Sequence, residues 1–378
     1  MSNLRLCVER LFNGEAVAKS QCVEIEDGII TAISDQISSE SETLKGTLTA
    51  GFIDVQVNGG GGVLFNQAPS VETLKIIAKA HQQFGTTGWM PTLISDSLET
   101  MQSAADAVAE AIQDPTNGIL GIHFEGPNLS VGKRGIHLEN LIRPFFEAEE
   151  AIFTRKDIGK VLVTVAPEAI TCEQISALVA SGVIVSIGHS NASFEQANNA
   201  IAAGATGFTH LFNAMSQFNS RQPGVVGAAL QAMGCFSGII LDGFHLHQAS
   251  AELAYHSKTQ LMLVTDAMST VGTDQNEFEY FGETIHKKNG CLRDKNNNLA
   301  GSTLDMQTAV INAQSLLNIS AVDSYKLAST NPAKFLGLKN QLGNLEVGKK
   351  ANMVLLDEHS KVLQSWIEGE PAGNSAGF

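Results

Sequence analysis

The sequence predicts an α/β protein, a (β/α)8 barrel with a small β-sandwich domain formed by both chain termini. Three observations carry this. From residue 52 onward, eight short runs rich in Val, Ile and Leu follow one another, most with an amphipathic stretch behind them. Polar residues capable of chemistry recur where those runs end. Short β-rich pieces with turn signals bracket the whole series at both ends of the chain.

The head comes first. LRLCVERLF, QCVEIEDGIITAIS and GTLTAGF alternate with Asn13-Gly14 and Asp27-Gly28, which are hairpin turn pairs. This is too little chain for a comfortable domain, and the tail LGNLEVGKKANMVLLDEHSKVLQSWIEGE has the same texture. One small domain over 1–50 plus 345–378, with the barrel at 51–344 inserted into it, accounts for both.

The barrel runs then follow in order. FIDVQVN precedes a helix predicted over 71–84, GWMPTLI one over 98–112, and GILGIHFEG a long insertion containing GKRGIH. VLVTVAPE precedes a helix over 172–181, VIVSIGHS one over 193–203, GFTHLFN a loop, CFSGIILDGFH a helix over 250–256, and QLMLVTDAM completes eight. Runs apolar on both faces suit strands of a parallel sheet covered by helices. An open doubly wound sheet is the rival, but no Gly-x-Gly-x-x-Gly turn follows the first run. Helices are predicted over 304–317 and 321–336. The insertion at 141–160 receives no role.

Bulk properties narrow the function. At 378 residues the chain exceeds the size of a single core. With 24 Lys+Arg against 39 Asp+Glu it carries −15, which argues against nucleic acid or an anionic membrane as partner. An anionic ligand therefore needs a local cation. The first residues, interrupted by Arg5, Glu9 and Arg10, lack the apolar core of a signal peptide, and no run is long enough to span a bilayer. Five scattered cysteines, odd in number and without a CxxC pair, fit a reducing cytoplasm, with most of them read as small buried hydrophobes.

In a parallel barrel the residues at the strands' carboxyl ends converge. Here they are Gln56 and Asn58, Glu125, His189 just past the fifth run, His210 within the sixth, Asp242 and His245, and Asp266. Glu125, His189 and His210 form a three-ligand set with a position open to water, as catalytic metal sites have. Asp266 stands across the mouth as a free carboxylate suited to accept a proton. Each residue has a plainer reading: a core histidine with a hydrogen bond, or an acid capping a helix. Their gathering at one end of one barrel favours the metal site.

The motifs are more specific than the pattern. GFIDVQVNGGGG, HFEGPNLS followed by GKRGIH, IGHSNASFEQANNAIAAGATGFTHLFNAM, DGFHLH, VTDAM and LAGSTLDM resemble the N-acetylglucosamine-6-phosphate deacetylase family of the amidohydrolase superfamily. The resemblance implies a TIM-like amidohydrolase barrel that removes acetate from an amino-sugar phosphate in amino-sugar metabolism. It implies one divalent transition metal per subunit, zinc, iron, cobalt or manganese, at Glu125, His189 and His210. It also implies catalytic roles for Asp266, as base and then acid, and His137, which polarises the substrate carbonyl. Gln56 and Asn58 stand where relatives have a His-x-His pair; amides are poorer ligands, so one tight ion is expected and a weak second one stays open.

For the substrate, the resemblance implies contacts from Gln56, His137, Asn213 and Ala214, with Arg221 and His245 on the phosphate. It further implies a homodimer whose partner contributes to a shared site. Arg221 is otherwise an ordinary solvated loop charge. Ala300, Gly301, Ser302 and Thr303 resemble a substrate loop, although Ser302 and Thr303 could simply cap the next helix. The Gly59 to Gly62 run lacks a following Gly-Lys-Ser/Thr and reads as tight packing, not a nucleotide cradle. Asn352, in GKKANMVLL, departs from the superfamily's usual aspartate. The rival readings are another amidohydrolase activity on the same barrel and a catalytically silent scaffold. A cyclic-amide hydrolase or deaminase generally shows the missing His-x-His pair, and a scaffold has no need of the full ligand set.

Overall fold

The computed structural model describes residues 3–35, 43–257 and 259–373. The outer ends of the predicted small domain, 1–2 and 374–378, and its internal stretch 36–42 lie outside the described residues.

Eight parallel strands form the barrel: Phe52–Val57, Thr86–Ile94, Gly121–Glu125, Lys160–Val165, Ile184–Ile187, Gly207–Phe208, Phe236–Ile239 and Gln260–Leu263. Each pairs with the next in sequence. The seam between the eighth and the first is closed beyond the strand ends, where Val57 bridges Ala267 and the Asp266 N–H donates to Gln56 O at 3.0 Å. Asp54, buried in the first strand, reinforces that seam by accepting from the Thr265 hydroxyl and the N–H groups of Thr265 and Gln56.

The intervening helices form where caps and apolar spacing coincide. Ser70, Ser97, Thr171 and Ser193 each accept from an N–H in the first turn of the helix they open, covering Val71–Gln82, Leu98–Ala111, Cys172–Ala180 and Phe194–Ala202. In the first of these Leu74, Ile77, Ala78 and His81 turn one buried stripe onto the barrel.

Three features depart from the sequence reading. Residues 321–336 are two helices, Ala321–Ala328 and Thr330–Phe335, because Pro332 has no N–H with which to continue the ladder. A helix at Gly224–Gln231 went unpredicted; it is apolar on nearly every side and so shows no amphipathic period. Residues 269–299, unassigned from sequence, contain a three-stranded antiparallel sheet, Glu277–Tyr280, Glu283–Lys288 and Cys291–Arg293. Its Tyr280, Ile285 and Leu292 pack on Leu64, Ile94 and Met268.

The head and tail join in one seven-stranded sheet, in the order Glu370–Ala372, Val362–Ile367, Met353–Leu356, Thr43–Ala50, Asn3–Phe12, Val17–Glu26, Ile29–Ser34. Val8, Val23, Leu48, Met353 and Trp366 give it its own core. Asn352 joins it to the barrel: its amide donates to Thr87 O at 3.0 Å and its Oδ1 accepts the Glu368 N–H. An aspartate could not make the first bond. Cys7 and Cys22, directly opposed across the first hairpin, are joined by a disulfide. This corrects the reading of the cysteines as unpaired hydrophobes; sequence separation hid a pairing that the hairpin register creates.

Gly59 to Gly62 is packed as expected. A side chain on Gly60 would begin 2.9 Å from His81 Nε2, and one on Gly61, whose φ is +63°, would begin 2.7 Å from Ile76.

Candidate metal centre and active site

Glu125 is the last residue of the third barrel strand, so its carboxylate emerges at the rim. His189 lies two residues past the fifth strand and His210 two residues past the sixth, not within it as the sequence suggests. Both histidines have left-handed backbone, φ +47° and +35°, which turns their rings inward. Such conformations are costly for a side chain with a Cβ and concentrate at functional sites.

The three side chains meet. Glu125 Oε1 lies 3.0 Å from His210 Nε2 and 3.2 Å from His189 Nε2, and the two Nε2 atoms are 2.9 Å apart. One ligand atom from each residue falls within 4.8 Å of the others. His189 Nδ1 donates to Lys133 O at 2.8 Å, which fixes its tautomer and leaves the Nε2 lone pair facing the cluster. Burial would raise the Glu125 pKa, but the hydrogen bonds and charge of both histidines hold it well below the usual carboxylate range. This buried set of one carboxylate and two imidazoles fits a divalent cation.

Asp266 faces the cluster. Its Oδ1 accepts from Asn58 Nδ2 at 2.6 Å and from Gln56 Nε2 at 3.3 Å, while the same Gln56 amide donates to Glu125 at 3.0 Å. Gln56 thus bridges the two carboxylates, and Asn58 holds Asp266 alone. Burial, with the negative charge of Glu125, pushes the Asp266 carboxyl up to about 6.

His137 stacks edge-on to His189, ring centroids 4.5 Å apart. Its Nδ1 is 2.8 Å from Ser95 Oγ and 3.3 Å from Ser95 N. Burial and the neighbouring His189 lower its pKa to about 3, so the ring is neutral. His245 is tied through Nδ1 to Asp242 Oδ2 at 2.7 Å.

A pocket of about 630 Å³, counted out to its open mouth, connects these groups; Asn213, Ala214 and Gly301 also line it. Other expected residues sit elsewhere. Arg221 is exposed on the loop before Gly224–Gln231 and does not line the pocket. Ala300 packs under the three-stranded sheet, Ser302 Oγ donates to Thr265 O, and the half-buried Thr303 donates to Gly290 O. Neither hydroxyl caps the next helix; Asp305 does, through Thr308 N.

Sequence reasoning missed Ser95, although it follows the second barrel strand and so obeys the rule that found the others. It also left the insertion without a role. There Arg143 Nε pairs with Glu149 Oε1 at 2.6 Å, Arg143 Nη1 donates to Asp96 O, and Asn128 Nδ2 donates to Glu149 Oε2. The pair clamps the loop behind Ser95 to the loop behind Glu125. The main-chain carbonyl of Lys133 had no sequence signal at all.

Residues 47–377 match the amidohydrolase family model. The chain is 50% identical over 357 residues to an N-acetylgalactosamine-6-phosphate deacetylase of Shewanella sp. strain ANA-3, covering 92% of this chain and 90% of that one. It is 35% identical to an N-acetylglucosamine-6-phosphate deacetylase of Haemophilus influenzae, covering 94% and 95%. Among solved structures, the N-acetylglucosamine-6-phosphate deacetylase of Pasteurella multocida superposes with a TM-score of 0.93 at 34% identity, covering 98% of this chain and all of the other. No helix among the described residues is long and apolar enough to cross a membrane.

Proposed function

The chain belongs to the amidohydrolase family, and from that premise we propose that it hydrolyses the acetamide of N-acetylglucosamine 6-phosphate to glucosamine 6-phosphate and acetate, a step of amino-sugar catabolism. The observation that carries the reading is the convergence of Glu125, His189 and His210 with Asp266 across one pocket. Glu125, His189 and His210 would hold a divalent cation, whose Lewis acidity would acidify a neighbouring water and polarise the acetamide carbonyl. One ion per subunit, of zinc, iron, cobalt or manganese, suits this donor set.

The side chains perform the remaining steps. Asp266 accepts the water proton on Oδ2, since Asn58 and Gln56 both engage Oδ1. His137 donates Nε2–H to the carbonyl oxygen and stabilises the tetrahedral oxyanion. Asp266, now protonated, returns the proton to the departing amine. Asn213 and Ala214 contact the sugar, and His245, tied to Asp242, faces the phosphate. We further propose a homodimer in which the exposed Arg221 reaches the partner's pocket, and a division of labour in which residues 51–344 carry the chemistry while 1–50 and 345–378 brace it.

A second reading concerns the sugar. The 50% identity to a galactosamine-named relative favours the C4 epimer, N-acetylgalactosamine 6-phosphate, as a substrate. Release of primary amine from each sugar phosphate and from unphosphorylated N-acetylglucosamine, with metal supplied, tests both. Turnover confined to the phosphorylated sugars supports the proposal, their ratio assigns the epimer, and turnover of none overturns it.

A further inference from the structure

The phosphate of the proposed substrate must enter a protein of net charge −15, and Arg221 stands away from the pocket of its own chain. The three-stranded sheet beyond the eighth barrel strand offers another cation. Residues 286–295 hold His286, Lys287, Lys288, Arg293 and Lys295 against one acid, Asp294. Most are engaged: His286 pairs with Glu277 at 3.2 Å, Lys295 pairs with Glu283, and Arg293 Nη1 donates to Asn297 O at 2.7 Å. Among the described residues, Lys287 and Lys288 have no ion pair.

The backbone brings Lys288 to the rim. The turn after it, Asn289-Gly290, has φ +54° and +81°. Gly290 O accepts from Thr303 Oγ1 at 3.0 Å, two residues past the pocket residue Gly301. A side chain on Gly290 would begin 3.8 Å from the ring of Phe244, the neighbour of His245. The turn therefore straddles the loops after the seventh and eighth barrel strands. Lys288 pairs directly with Cys291 across the sheet, so their side chains leave the same face. The buried Cys291 thiol is close enough to Asp242 to feel its carboxylate, and Asp242 is the group that holds His245. Lys288 thus shares a face with the buried Cys291 beside the loop that carries Asp242 and His245, whereas Lys287 lies with the buried Leu292.

We propose that Lys288 is a binding residue for a phosphate monoester, its ammonium reaching over the rim to the anionic end of the substrate beside His245. This rests on the phosphorylated-sugar reading above. A flexible lysine stem four carbons long gives the ammonium its reach, and the exposed head stays solvated until the phosphate arrives.

The test uses the metal-loaded full chain, with inorganic phosphate as a calorimetric probe and N-acetylglucosamine 6-phosphate as substrate. Lys288→Gln is compared with Lys288→Arg and with Lys79→Gln, a distant surface substitution of equal charge. The expected result is phosphate affinity about tenfold weaker in Lys288→Gln, with KM for the sugar phosphate raised by a similar factor and kcat within about twofold. Lys288→Arg restores most of the affinity, and the unphosphorylated sugar is unaffected. Equal shifts in Lys288→Gln and Lys79→Gln, or no phosphate binding by the wild type, overturn the proposal. If the wild type binds phosphate but turns over neither sugar, the deacetylase reading fails while the affinity difference still decides Lys288.

Discussion

The Nδ1 atom of His137 receives the main-chain N–H of Ser95 at 3.3 Å, beside its 2.8 Å contact with the Ser95 hydroxyl. A main-chain N–H only donates, so Nδ1 is the acceptor and the ring proton resides on Nε2, the nitrogen left for the pocket. His137 is therefore a neutral donor, suited to an oxyanion and unsuited to act as a base. Nitrogen-15 NMR of labelled histidine is expected to report the Nε2–H tautomer, assigned by its loss in His137→Asn. Ser95→Ala should keep metal stoichiometry and lower kcat by about tenfold, because the ring loses one of its two anchors. An Nδ1–H tautomer would remove His137 from the oxyanion role.

Asp266→Asn should retain the fold and the metal yet lower kcat by about 10² to 10⁴, the usual contribution of a positioned acid–base group. The carboxyl, raised to about 6 by burial and by Glu125, works only when ionised, so activity rises with pH through its pKa and is lost below it. A nearby cation stabilises the carboxylate, which moves the acidic limb of kcat/KM below about 6 in the loaded enzyme. A pH profile of the metal-loaded enzyme checks the sign: activity that increases toward acid contradicts the assignment.

Asp54 makes a prediction about stability. Burial raises its carboxyl to about 7 despite hydrogen bonds from Thr265 and Gln56. A raised carboxyl binds its proton more tightly in the folded state, so this contribution is fully present below the unfolded pKa near 3.8 and is lost as pH rises through about 7. The loss is on the order of 4 kcal/mol at most. Asp54→Asn, in which the Thr265 hydroxyl turns to accept from the amide and donate to Gln56 O, should flatten the fall in melting temperature across that window. An unchanged slope in the variant assigns the pH dependence to other groups.

Glu149→Ala leaves Arg143 without its partner in a largely buried place and takes away the acceptor that holds Asn128. Denaturant melts should show a loss of about 3 kcal/mol. Metal affinity, read by competition with a chelator, should weaken too, since Asn128 stands three residues from Glu125 in the same loop. A variant with wild-type affinity would make the clamp a matter of stability alone.

The barrel was legible because its strands are buried on both faces and its helices carry serine or threonine caps, signals that lie within a few residues of one another. Glu125, His189, His210 and Asp266 were legible for a related reason: each ends an apolar run, and the barrel turns that one-dimensional position into proximity. What escaped has no local signature. The Gly224–Gln231 helix is too uniformly apolar to show a period, and the Cys7–Cys22 pair depends on hairpin register. The clamp at Arg143 and Glu149 joins two loops through Asn128 and the main-chain carbonyl of Asp96, partners too far apart in sequence for a local pattern to record. Ser302 shows the converse, a motif residue whose hydroxyl is spent on Thr265 O.

The strand Thr43–Ala50 runs parallel to Asn3–Phe12 and antiparallel to Met353–Leu356, so head and tail are stitched together before the barrel begins and after it ends. Under tension applied between residues 3 and 372, load passes through this ladder and bypasses the eight barrel strands. The catalytic rim is thereby mechanically isolated: in single-molecule pulling the small sheet ruptures first, and the barrel bears force only after the Leu48–Leu355 register has come apart.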